Sequence, residues 1–96
     1  MSDEIPFSEV RKRWLADPEV ASAYTALQIE RAIANQLLDA RAAAGLTQQQ
    51  VADRMGTTQA VIARLESGRQ MPSTRTMQRY AEATGTTLRI SFEPRS

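Results

Sequence analysis

The chain of 96 residues contains neither cysteine nor histidine. These absences exclude disulfides, the usual zinc sites, and catalysis of the Ser-His-Asp or Cys-His kind. No apolar run approaches the roughly 20 residues that a membrane span needs. Asp3, Glu4 and Glu9 stand where a signal peptide would be apolar. The carboxylates are scattered and no glycine-rich phosphate loop is present. We therefore expect one soluble, cytoplasmic domain that is not an enzyme and binds no metal or cofactor.

Charge is unevenly distributed along the chain, although the net charge is only +1. Residues 1–40 carry four basic and seven acidic side chains, a net charge of −3. Residues 41–96 carry eight basic and four acidic side chains, a net charge of +4. The two halves are thus suited to different partners, although ordinary solvated surfaces would account for the same counts.

Two helices are predicted in the N-terminal half, after a flexible tail at residues 1–6. The first covers Phe7–Leu15. The dipeptide Asp17-Pro18 is a helix-start signal, with aspartate as the cap and proline at the first position. Nothing breaks the second helix before Ala44, and Gly45 supplies its end.

The long helix carries two apolar stripes when its residues are placed at 100° intervals. The first stripe contains Ala26, Ile29, Ile33, Leu37, Ala40 and Ala44, and the second contains Val20, Tyr24, Leu27, Ala34 and Leu38. The first can cover the core of the following residues. The second needs another cover, which is either the Phe7–Leu15 helix folded back on it or a partner protein.

Three short helices and one strand are predicted in the C-terminal half. The helices are Gln48–Met55, Gln59–Glu66 and Thr74–Thr84, with capping residues before them and glycines after them. Leu88, Ile90 and Phe92 then alternate with polar residues, which is typical of a half-buried strand from Thr87 to Phe92.

The first two of these short helices are joined by a tight turn that contains Gly56, the arrangement of a helix-turn-helix. Ile62 and Leu65 would attach the second helix to a core. The outward side would then present Gln59, Ala60, Ala63 and Arg64. Glutamine and arginine can bond base edges in the major groove, and small residues let a helix lie deep in it. A generic three-helix core with a polar surface is the alternative.

The stretch LTQQQVADRMGTTQAVIARLESGRQMPSTRTMQRYAEATG resembles the phage-repressor (Cro/C1, XRE) class of helix-turn-helix domains. The positions in register are Leu46, Thr47, Gln48, Val51, Ala52, Gly56, Gln59, Ile62, Leu65, Glu66, Gly68, Pro72, Ala81 and Gly85. The resemblance implies a mainly α fold that binds double-stranded DNA. It places Thr58, Gln59, Ala60 and Arg64 at base-reading positions, and Gln48, Thr57 and Arg69 at phosphate contacts. It also pairs Arg41 with Glu66 in a structural role. Ala60 departs from the pattern of the class, in which a longer polar residue is common at this position.

The flanking motifs Trp14–Glu19 (WLADPE) and Leu88–Pro94 (LRISFEP) resemble those of HigA-type antitoxins. That resemblance implies neutralisation of a RelE/HigB-type ribonuclease toxin and repression of the protein's own operon. The implied organisation is a toxin-contacting extension at residues 1–28, a DNA-binding domain at 29–85 and a dimerisation strand and tail at 86–96. The alternatives are a stand-alone Cro/C1-type repressor without a toxin partner, and a scaffold that uses this fold for protein contacts alone.

Two surfaces outside the helix-turn-helix complete the expectations. Phe7, Trp14 and Tyr24 are expected to contact the toxin, because large apolar side chains in a polar segment are typical anchors. The predicted strand would leave unpaired backbone groups, so we expect it to pair with the same strand of a second molecule. Leu88, Ile90 and Phe92 would line this homodimer interface.

Overall fold

A computed structural model describes residues 7–95; the predicted flexible tail at residues 1–6, and residue 96, lie outside this range. Within it the chain forms five helices: α1 (Phe7–Ala16), α2 (Pro18–Ala43), α3 (Gln48–Met55), α4 (Gln59–Leu65) and α5 (Thr74–Thr84). The mainly α fold is confirmed. None of these helices is both long and apolar enough to cross a membrane.

Helix α2 is one continuous helix of 26 residues. The side chain of Asp17 accepts a hydrogen bond from the backbone N–H of Glu19, and Pro18 occupies the first helical position, as the sequence predicts. The chain leaves the helix at Ala44, and Gly45 adopts a left-handed conformation with φ of 68°. The division predicted between residues 28 and 29 therefore falls inside a helix and not in a linker.

The core lies where the C-terminal half of α2 meets the three short helices. Its buried members are Leu37, Val51, Ala52, Met55, Ile62, Leu65, Tyr80 and Ala83, with Ile33, Ala40 and Leu46 packed against them. Ala52 of α3 is fully buried in this core. This packing fixes the orientation of α4.

The two stripes of α2 are only partly covered. In the first stripe Ile33, Leu37 and Ala40 pack on the core, but Ala26 and Ile29 are exposed because the short helices meet only the C-terminal half of α2. In the second stripe Ala34 is 2% exposed, because the loop that follows α4 approaches it at Gly68. The sequence predicts that the Phe7–Leu15 helix or a partner protein covers this stripe, but at Ala34 the cover is the loop that follows α4.

The strand predicted for Thr87–Phe92 is not confirmed. No residue between 85 and 95 belongs to a strand, and Phe92 is 98% exposed. A strand forms through hydrogen bonds to a second strand, and the described part of a single chain offers none. Pairing across a dimer through Leu88, Ile90 and Phe92 thus stays a prediction.

Candidate nucleic-acid interface

The α3–turn–α4 unit is built by local chemistry at each helix end. The Thr47 side chain accepts from the backbone N–H of Gln50, and the Gln50 side chain accepts from the backbone N–H of Thr47, forming a capping box. Gly56 adopts the left-handed conformation, with φ of 67°, that closes α3. Thr58 then caps α4 by accepting from the N–H of Val61. These features set the angle at which α4 leaves the turn.

Helix α4 has a buried side and an outer face. Ile62 and Leu65 are buried in the core. The outer face consists of Gln59, Ala60, Ala63 and Arg64, which are all exposed. The structure therefore presents together the glutamine, the arginine and the two alanines that the sequence predicts to face outward. Thr58, also predicted to read bases, is exposed just before the helix.

Gln48 connects the start of α3 to this outer face. Its Nε2 donates to Glu66 Oε1 at 3.1 Å, and its Oε1 accepts from Gln59 Nε2 at 3.3 Å. Both hydrogen bonds fix the rotation of the Gln48 amide and hold the Gln59 side chain beside it. The two glutamines predicted for phosphate and base contacts are thus adjacent and oriented before any ligand is bound.

Glu66 is buried directly behind these glutamines, just after α4, and pairs with Arg41 of α2. Arg41 Nε and Nη2 each donate to one oxygen of Glu66 at 2.9 Å, which is the two-bond geometry of a strong arginine–carboxylate pair. Arg41 Nη1 also donates to the carbonyl of Leu46, at 3.1 Å. The pair that the family resemblance implies is therefore present, and it joins α2 to the end of α4.

Tyr80 of α5 is a member of this network that the sequence analysis missed. Its hydroxyl lies 2.8 Å from Glu66 Oε2 and 2.7 Å from the carbonyl oxygen of Leu37, so its single O–H hydrogen is shared between these two acceptors. Tyr80 is fully buried, and a buried tyrosine hydroxyl needs a partner. Its place among the apolar residues of the predicted last helix could have indicated that Tyr80 is buried. Its hydrogen-bond partners are distant in the sequence, so the sequence could not indicate them.

The network also sets the ionisation of its members. Burial by itself would raise the pKa of Glu66, but hydrogen bonds from Arg41, Gln48 and Tyr80 outweigh burial and leave the pKa below its ordinary value. Burial, with the Glu66 carboxylate beside it, raises the pKa of Tyr80. The hydrogen bond to Glu66 raises the pKa of Arg41. At neutral pH the Glu66 side chain is therefore ionised and the Tyr80 hydroxyl is neutral.

The remaining predicted phosphate contacts lie at the two ends of α4. Thr57 is half-buried in the turn before the helix, and Arg69 is exposed in the loop after it. The Ser67 hydroxyl donates to the carbonyl of Arg64 at 2.6 Å and accepts from the backbone N–H of Arg69 at 3.3 Å. These two bonds order the loop that carries Arg69.

Two arginines of the basic half serve the fold and were not singled out by the sequence analysis. Arg54 Nη1 donates to the carbonyl of Ala83 at 2.8 Å, and Arg79 donates to the carbonyl of Met55. Both bonds join the end of α3 to α5 and satisfy carbonyls that a helix terminus leaves free. The positive charge of residues 41–96 is thus partly used for stability.

The residues predicted to contact a toxin lie together on α1 and the start of α2. Phe7, Arg11, Trp14, Val20 and Tyr24 line a small apolar cavity of about 120 Å³. Arg11 lies over the Tyr24 ring, 5.0 Å from its centre, and donates to its hydroxyl at 2.5 Å. Phe7 and Trp14 nevertheless remain 73% and 56% exposed. Helix α1 therefore folds back on α2 without burying Phe7 or Trp14.

Comparison with known families adds the class of protein. A family model described as helix-turn-helix matches residues 37–90, more than half of the chain. The chain belongs to the Cro/C1-type (XRE) helix-turn-helix family, and membership supports DNA binding and transcriptional regulation as its activity. Comparisons with curated proteins and with solved structures give no match.

Proposed function

We propose that the protein is an antitoxin with two separate binding surfaces. The outer face of α4 binds an operator and represses the protein's own operon, and the α1–α2 hairpin binds and neutralises a RelE/HigB-type ribonuclease toxin. Residues 1–28 would act as the toxin-contacting part, residues 29–85 as the DNA-binding domain and residues 86–96 as the dimerisation segment.

One observation supports the toxin surface more than any other. Helix α1 and the N-terminal part of α2 lie outside the residues matched by the family model, yet they display Phe7 and Trp14 around an apolar cavity. Exposed aromatic side chains in a polar surround are characteristic of binding anchors. Residues 1–40 carry a net charge of −3, which would favour association with a basic toxin.

The DNA surface is supported by the orientation of α4. Its outer face carries Gln59 and Arg64, whose amide and guanidinium groups suit adenine and guanine edges. Gln48 lies at the N-terminus of α3, where backbone N–H groups favour a phosphate. The carboxylate oxygens of Glu66 accept hydrogen bonds from Arg41, Gln48 and Tyr80. We therefore assign this carboxylate a structural and not a catalytic role.

A stand-alone repressor is the second candidate, and the completeness of the DNA surface favours it. All of the predicted base and phosphate positions lie within residues 37–90, so operator binding needs nothing from α1. In that case Phe7 and Trp14 would only shield the start of α2.

Co-expression of the tagged chain with its neighbouring gene distinguishes these candidates. We expect a small basic protein to co-purify with the full chain, and its toxicity to be suppressed in the same cells. The double variant Phe7→Ser/Trp14→Ser should lose both effects, because it removes both aromatic anchors. Ser8→Ala, an exposed change on the same helix, is the matched control and should retain them. A neighbouring product that neither binds nor is toxic would contradict the antitoxin proposal and leave the repressor.

A further inference from the structure

Arg31 of α2 lies against the loop that follows α4. A Cβ atom placed on Gly68 would be 3.4 Å from Arg31 Nε and 3.5 Å from Arg31 Cα. Gly68 has φ of 73° and directly precedes Arg69. The Arg31 side chain, from the acidic half of the chain, is thus brought next to the segment that carries a predicted phosphate contact.

The charge of Arg31 is not neutralised within the described residues. Within residues 7–95 the Arg31 side chain forms no ion pair and donates no hydrogen bond. The ion pair in that range joins Arg41 to Glu66. Arg31 is also exposed. Its guanidinium therefore keeps its donors available to a ligand, in contrast to the fold-stabilising arginines Arg54 and Arg79.

The geometry of the major groove indicates what that ligand is. A helix in this groove has a phosphate backbone on either side of it. Gln48 and the N-terminus of α3 lie beside the start of α4, whereas Arg69 and Arg31 lie beyond its C-terminal end. Arginines beyond the C-terminal end of α4 would contact the DNA phosphate backbone on the side of the groove that Gln48 does not reach.

We infer that Arg31 is a DNA phosphate-binding residue that acts together with Arg69. This inference rests on the proposed placement of α4 in the major groove. It extends the DNA surface into a part of α2 that lies outside the helix-turn-helix match at residues 37–90.

The test is the salt dependence of binding by the full chain to a mixed-sequence duplex of about 20 base pairs. Each phosphate contact contributes about 0.9 to the slope of log affinity against log salt concentration. Arg31→Ala should lower that slope by about 0.9, which corresponds to about eightfold weaker binding at 0.1 M salt if affinities converge at 1 M. Arg31→Lys should restore the slope, since a lysine can also contact a phosphate.

Arg13→Ala is the matched control, because Arg13 is an exposed arginine on α1 and its loss changes the net charge equally. We expect it to leave the slope unchanged. A wild-type slope in Arg31→Ala would overturn the inference while leaving DNA binding intact. An equal loss in Arg13→Ala would also overturn it, because the effect would then be one of net charge. If the wild-type chain binds the duplex without salt dependence, the placement of α4 fails, and the inference fails with it.

Discussion

Gln48 Oε1 accepts a hydrogen bond from Gln59 Nε2 at 3.3 Å, while Gln48 Nε2 donates to the buried carboxylate of Glu66. The side chain predicted to read a base is therefore held by the one predicted to contact a phosphate. Glu66 in turn is fixed by Arg41 and Tyr80. The outer face of α4 is thus pre-oriented by the protein core, which lowers the ordering cost of binding.

Removal of Gln48 should weaken binding to every DNA sequence about equally. Gln48→Ala would delete a predicted phosphate contact, and phosphate contacts carry no sequence information. Arg69→Ala should act in the same way and lower the salt slope by about 1. The measurement is titration of an operator duplex and of a scrambled duplex. A loss confined to the operator would show that Gln48 acts on base readout.

Glu66→Gln should destabilise the protein by about 2 kcal/mol at neutral pH, because it removes a charge-assisted pair with Arg41. The folded-state pKa of Glu66 is lower than that of the unfolded chain, so its stabilisation is present above the ordinary value of 4.5 and is lost as pH falls through the folded-state pKa. Urea unfolding of both proteins should therefore show a difference that shrinks on acidification. A difference independent of pH would contradict this role of the carboxylate.

The C-terminal segment should form the dimer interface. Ile90 and Phe92 are exposed in the single chain and would be covered by antiparallel pairing with a second copy. Light scattering should show that a chain ending at Gly85 is monomeric. Ile90→Lys should have the same effect, because it places a charge on the covered side.

Ser91→Lys is the control for this interface, since alternate residues of a strand point to opposite sides. It should leave the dimer intact. A dimeric chain ending at Gly85 would show that the interface lies elsewhere.

A chain that starts at Ile29 should bind DNA and fail to neutralise the toxin. It lacks α1 and the start of α2 but keeps Ala34 and Leu37, the α2 residues that are buried in the fold. Operator titration and a growth assay with the toxin measure the two activities separately. Neutralisation by this shortened chain would place the toxin surface on the helix-turn-helix domain.

Local sequence signals account for most helix ends of this fold. The bounds of α3 and α5 were predicted to the residue, because Thr47 and Ser73 cap them and Gly56 and Gly85 end them. Helix α4 ends at Leu65, one residue earlier than predicted. Glu66 takes the C-cap position there, and its side chain pairs with Arg41 instead of continuing the outer surface.

Features that depend on tertiary contacts were not accessible from the sequence. Periodicity assigned Ala34 to the second stripe but could not show that the Gly68 loop covers it, since periodicity contains no information on where that loop packs. The hydrogen bond from Tyr80 to the carbonyl of Leu37 joins residues far apart in the chain. Likewise, a segment forms a β-strand only when it pairs with a second strand. The alternating pattern of the C-terminal segment therefore cannot determine its structure by itself.

The operator affinity of Arg64→Ala tests the central claim, that the outer face of α4 reads DNA, most directly. Arg64 is exposed in the last turn of α4 and is absent from the core network, so its removal should leave the fold unchanged. Titration of the DNA upstream of the gene should show a loss of roughly 1–3 kcal/mol and a relaxed preference at one base pair. Gln59→Ala should behave likewise, and Gln78→Ala, an exposed change on α5, should bind as the wild type does. Unchanged operator affinity and base preference in Arg64→Ala would contradict the account.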